Sequence, residues 1–105
     1  MLLAEREIES RLARLPQWTR AGDAITRLVP IEYHAGAALI VRVTDAAQLT
    51  PRHADINLSA DGVRFTITTH VAGNRLTIAD FDLAEHIDAI TADVSGWREP
   101  TGDQR

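Results

Sequence analysis

Three residues in this 105-residue chain could exchange protons near neutral pH while lying close together: His53, His70 and, between them, Asp55. Imidazole is the side chain whose ordinary titration falls near neutrality, which suits it to general acid–base work. Two adjacent imidazoles resist being charged together, so their titrations spread and one can serve as acid while the other serves as base. Asp55 could hold one imidazole's tautomer, although strand alternation sets it a residue pair away from both. The plainer alternative is that both histidines sit on a solvated sheet face and bond to neighbouring threonines.

The element that would bring the two histidines together is a hairpin. Ile56, Leu58 and Ala60 alternate with Asp55, Asn57 and Ser59; Val63, Phe65 and Ile67 alternate with Arg64, Thr66 and Thr68. Asp61-Gly62 between the arms favours a two-residue turn with positive φ at both central positions. That turn predicts Ala60 opposite Val63, Leu58 opposite Phe65 and Ile56 opposite Ile67. Continued outward, it places Asp55 opposite Thr68 and His53 opposite His70 on the polar face. Directly opposed residues have Cβ atoms about 4.5–5.5 Å apart.

Other chemistries fit less well. Two histidines and Asp55 make only a partial zinc ligand set, with no third imidazole nearby. His34 and His86 fall in separate helical stretches and read as surface residues. The chain has no cysteine, which removes disulfides and thiolate chemistry, and Gly73 is a lone turn glycine rather than part of a phosphate-binding loop.

The length implies one domain with a modest core, for which self-association would help. Apolar content is 45%, charged content is 25% and the net charge is -4, an ordinary globular mixture with interspersed signs. Neither nucleic acid nor an anionic membrane is expected as a partner. No apolar run reaches transmembrane length, and the charged start is unlike a secretory leader, so a cytoplasmic location is expected.

Residues 3–14 have Ala4, Ile8, Leu12 and Leu15 at helical spacing, with Pro16 as the stop. Trp18 reads as a core plug beside a turn over residues 19–23, and could belong to a short strand running back against the strand that follows. Residues 24–29 read as a strand, placed at a sheet edge because of Pro30. The longest helical stretch is 33–49, with Gly36, Leu39, Ile40, Val43, Ala46 and Ala47 on one face. Ala38 and Val41 extend its apolar surface, as a subunit contact or a broad core stripe. Thr50-Pro51 ends it. Thr77 and Asp80 form a capping box opening a last helix, with Phe81, Leu83, Ala84, Ile87 and Ile90 as its stripe. That helix is expected to end near Ile90, giving a domain over 1–91 and a tail over 92–105 that is loosely ordered or docked by Trp97. The architecture expected is α+β in two layers, with three helices on one face of a four-stranded antiparallel sheet.

These features resemble the pterin-4a-carbinolamine dehydratase family from about Ile8 to Ile90. The resemblance is carried by Leu15-Pro16-Gln17-Trp18, Gly22-Asp23-Ala24-Ile25-Thr26-Arg27, Arg52-His53-Ala54-Asp55 and Thr69-His70, with the box from Leu76 to Asp88. It implies loss of the 4a-hydroxyl from a tetrahydropterin carbinolamine without metal or redox cofactor. By position, His53 and His70 match family histidines and are implied to be catalytic, with Arg52, Ala54, Asp55 and Thr69 around the pterin. The resemblance also implies a homodimer or homotetramer. The chain departs from the family pattern at Arg52, where the first histidine of a pair stands, at Gln48, where many members have an acid, and at Ala54, where they have proline. A guanidinium does not release its proton near neutrality. The departures therefore support an alternative: a non-catalytic relative serving as a dimeric assembly factor or partner-binding module, such as a Rubisco assembly chaperone or transcriptional cofactor. A pterin- or nucleobase-binding protein without turnover is the third possibility.

Overall fold

A computed structural model describes residues 3–47, 54–68 and 76–98. Its elements run α1 (Glu5–Leu12), β1 (Thr19–Ala21), β2 (Ala24–Val29), α2 (Tyr33–Ala47), β3 (Asp55–Ser59), β4 (Gly62–Ile67) and α3 (Ile78–Arg98). The four strands form one antiparallel sheet in the order β1-β2-β4-β3, with the helices on one face. This is the expected α+β two-layer architecture.

Strand alternation explains the layering. Ile25 and Val29 of β2, and Val63, Phe65 and Ile67 of β4, are buried towards the helices, while Arg64 is exposed and Thr66 half-buried on the other face. Burial of a Phe or Ile side chain contributes about 1.5–3 kcal/mol each, so this row anchors the domain. Ile8 and Leu15 from the first segment, Leu39 and Val43 of α2, and Phe81, Ala84 and Ile87 of α3 complete the core. Trp18 is buried within it, as its reading as a core plug anticipates.

All three helix starts are fastened by carboxylates; at α1 the Ala4 backbone N–H donates to Glu7 Oε1 at 3.3 Å. The Thr77 backbone N–H donates to Asp80 Oδ2 at 2.8 Å, and the Asp80 N–H donates to the Thr77 carbonyl at 3.1 Å. At α2, Glu32 Oε2 accepts the His34 N–H at 3.0 Å and Oε1 accepts the Ala35 N–H at 3.1 Å. Carboxylates there satisfy donors that the first helical turn leaves unpaired.

Gly36, a weak helix former, has a packing reason. A Cβ built there would lie 3.0 Å from both Leu58 Cδ1 and Val63 Cγ2, so the missing side chain lets α2 settle closely on β3 and β4.

The structure corrects three expectations. First, β2 is an inner strand, because β1 covers one side and β4 the other. Pro30 lies just past the strand end and removes no ladder donor. Second, α3 runs on to Arg98 instead of ending near Ile90. Thr91 and Val94 are buried and continue the stripe of Ala84 and Ile87; the polar Thr91 concealed that continuation. Third, the hairpin register differs. Ser59 pairs with Gly62, Leu58 with Val63, Ile56 with Phe65 and Asp55 with Thr66, which leaves Ala60-Asp61 as the two turn residues.

Gly62 accounts for the register. Its φ is +132°, and a Cβ there would lie 2.1 Å from the Val29 carbonyl oxygen. The glycine is needed where β4 meets the end of β2, not at the tip of the turn. Ser59 Oγ holds the tip instead, accepting the Asp61 N–H at 3.2 Å. The shift is by two residues, so every side chain keeps its face.

Candidate functional site

Of the six site residues read from the sequence, Asp55 and Ala54 lie among the described residues; Arg52, His53, Thr69 and His70 lie outside them, as does Gln48. Asp55 opens β3 as an exposed residue on the open face, opposite Thr66 rather than Thr68. Ala54, immediately before it, is half-buried and packs against the core. The ladder from which His53 was placed opposite His70 is therefore not the observed one, and the pairing itself falls outside the described residues.

The open face of the sheet around Asp55 is polar and tied together by hydroxyls. Thr26 Oγ1 donates to the Phe65 carbonyl at 2.9 Å, lies 3.3 Å from Thr66 Oγ1, and accepts from Arg64 Nη1 at 3.1 Å. Asn57 and Arg64 lie opposite each other on this surface, both exposed. Such a surface can position a polar ring by hydrogen bonds.

At the end of β4, Thr68 Oγ1 donates to the Asp23 carbonyl at 2.6 Å, in the turn joining β1 and β2. Sequence patterning does not reveal this contact: a threonine after a strand carries no signal about a distant turn. Beside it, a cleft is lined by Leu3, Glu5, Ile8, Arg20, Asp23 and Leu76. Arg20 spans the cleft wall, with Nη1 and Nη2 on the Glu5 carboxylate at 2.6 and 3.0 Å and Nε on the Gly22 carbonyl at 2.8 Å. The Glu5 carboxylate raises the Arg20 pKa above its ordinary value.

On the helix side of the sheet, Asp88 Oδ1 accepts from Trp18 Nε1 at 2.8 Å and from Arg27 Nη1. Strand parity puts Arg27 among apolar neighbours, opposite Phe65, and Asp88 reaches it from α3. His34 and His86 are exposed, as expected of surface residues. Among the described residues no three histidine, aspartate or glutamate side chains converge as a metal-binding group. No helix among them is long and apolar enough to cross a membrane.

Comparison with known proteins agrees with this fold. A 44%-identical protein from Nocardia farcinica, named "Putative pterin-4-alpha-carbinolamine dehydratase", aligns over 90 residues, 85% of this chain and 94% of the relative. One of the same name from Streptomyces avermitilis is 38% identical over 87 residues, 82% of this chain and 86% of the relative. Among solved structures, a transcriptional coactivator/pterin dehydratase from Brucella melitensis superimposes with a TM-score of 0.79 at 23% identity, covering 87% of this chain and 99% of that one. The similarity to that structure is one of fold. The family model described as Pterin 4 alpha carbinolamine dehydratase matches residues 1–90. That match takes in both histidines, the sheet that leads to them and most of α3: the chain belongs to the pterin-4a-carbinolamine dehydratase family.

Proposed function

We propose that the protein dehydrates a 4a-hydroxytetrahydropterin to the quinonoid dihydropterin, using His53 and His70 as the general acid and base. The observation that carries this reading is the family match over residues 1–90 in a chain that keeps both histidines. In the reaction the C4a–O bond breaks. One imidazole protonates the departing hydroxyl, which leaves as water, and the other accepts a proton from a ring nitrogen. The proton count balances, so no redox partner is needed. Arg52, Thr69, Ala54 and Asp55 surround the pterin in this reading. Arg52 offers hydrogen bonds and charge where the family pattern has a third imidazole, but it cannot transfer a proton.

The test is turnover of freshly generated 4a-hydroxytetrahydropterin against its spontaneous dehydration, with His53→Ala and His70→Ala alongside. Acceleration by the wild-type protein, reduced about 10²–10⁴-fold in each folded variant, supports the proposal. A wild-type rate equal to that of buffer defeats it. Arg52→His is expected to raise the rate by restoring the missing proton-transfer group.

A partner-binding role is a second reading, drawn from the outer face of α2. Tyr33 and Val41 are 55% and 58% exposed there, with Ala37 and Ala38 also exposed. Exposed apolar side chains on one helix suit contact with another copy or another protein. On this reading Val41→Glu reduces the molar mass measured by light scattering; an unchanged mass counts against self-association through α2.

A further inference from the structure

Thr68 lies just past the end of both ladders that hold β4. The β2–β4 ladder closes at Ile25 opposite Ile67, and the β3–β4 ladder stops earlier, at Asp55 opposite Thr66. Beyond Ile67 the chain is held by a side chain instead: the 2.6 Å bond from the Thr68 hydroxyl to the Asp23 carbonyl. The turn that supplies this carbonyl is itself fixed. Arg20 Nε donates to the Gly22 carbonyl, and the Arg20 guanidinium grips Glu5 of α1 through two bonds. A continuous set of polar contacts therefore runs from α1 through the turn to the end of β4, two residues before His70. At the same corner the Leu76 carbonyl accepts the Leu3 N–H at 3.4 Å.

We infer that Thr68 is a positioning residue for the dehydration, its hydroxyl fixing against Asp23 the strand end that leads to His70. This rests on the function proposed above. Catalysis is sensitive to this kind of anchor, because a displacement of about 1 Å at a reacting group can cost about 100-fold in rate.

The experiment compares wild type, Thr68→Val and Thr68→Ser in steady-state dehydration across pH, with thermal unfolding of each and an NMR titration of the His70 imidazole. Valine keeps the shape and removes the donor; serine restores it. The expected result is a kcat about tenfold or more lower in Thr68→Val, with KM changed much less and most of the rate recovered in Thr68→Ser. A Thr68→Val variant with wild-type kcat overturns the inference, as does a Thr68→Ser variant as slow as the valine form. Thr68→Ala takes the place of valine if the latter does not fold. If the wild-type protein does not accelerate dehydration, the dehydratase reading fails and the titration decides the positioning role. His70 displaced in Thr68→Val and restored in Thr68→Ser, with His34 and His86 unmoved, supports it. An unchanged His70 titration overturns it.

Discussion

Trp18 and Asp88, 70 positions apart, are joined by a 2.8 Å hydrogen bond from the indole Nε1 to Oδ1, and the same oxygen accepts from Arg27. One carboxylate therefore ties the start of β1, the middle of β2 and α3 together across the helix side of the sheet. The Arg27 and Asp88 side chains are 14% and 27% exposed, so water screens the pair only partly. Removing the carboxylate leaves a guanidinium in an apolar layer without its counter-charge. Asp88→Ala is expected to lower the unfolding free energy by about 2–4 kcal/mol, and Trp18→Phe, which keeps most of the ring's packing, by about 1–2 kcal/mol. Urea unfolding measures both; an Asp88→Ala protein as stable as wild type would show that the tie is dispensable.

Glycine substitutions separate two kinds of constraint. Gly22 has φ +65° with nothing within 4 Å of a built Cβ, whereas Gly62 has φ +132° and faces the Val29 carbonyl at 2.1 Å. Gly22→Ala meets only the backbone preference, about 1 kcal/mol. Gly62→Ala must also push the start of β4 away from the Val29 carbonyl, and it is expected to cost at least about 3 kcal/mol more. Equal melting temperatures for the two variants would refute the steric account of the hairpin register.

That register shows how far the sequence could be read. Alternation along residues 55–67 assigns each side chain to its correct face, because period two is insensitive to a shift of two residues. The pairing departs from the expected one because Asp61-Gly62 matches a favoured turn pair, while the reason for Gly62 is a contact with Val29, more than 30 positions earlier. The buried stripe of α3 shows the same limit. Its apolar half is visible in the sequence, but burial of Thr91 depends on what packs over it. For the site, residue type and the resemblance to the family both point to His53 and His70, which lie outside the described residues. The Thr68–Asp23 bond had no pattern to reveal it, since it joins a strand end to a turn through one hydroxyl.

The cap of α2 should make stability depend on pH in a defined direction. Backbone N–H groups of His34 and Ala35, with the His34 side chain, hold the Glu32 carboxyl below its ordinary pKa. A carboxyl depressed in the folded state adds stability that is fully present above its unfolded pKa and lost as pH falls through the folded value. Glu32→Gln is therefore expected to melt below wild type at neutral pH, with the gap narrowing as the solution is acidified below the ordinary carboxylate range. The group is exposed, so the effect is small and weakens with salt. A gap that widens on acidification would reverse the assignment.

Thr91 offers a substitution that should strengthen the fold. Its side chain is 2% exposed, and its Oγ1 has no hydrogen-bond partner among the described residues. An unpaired hydroxyl in an apolar layer costs free energy that an apolar group of the same shape avoids. Thr91→Val is accordingly expected to raise stability by about 1 kcal/mol. Val94, one turn further along α3, is 7% exposed, and Val94→Ala is expected to lower stability by about 2 kcal/mol through lost burial and the cavity left behind. Together the two variants test whether α3 is packed beyond Ile90. Thermal unfolding that rises for Thr91→Val and falls for Val94→Ala requires a helix seated on the core through this turn. Two variants indistinguishable from wild type would mean that residues 91–94 contribute nothing to the packed domain.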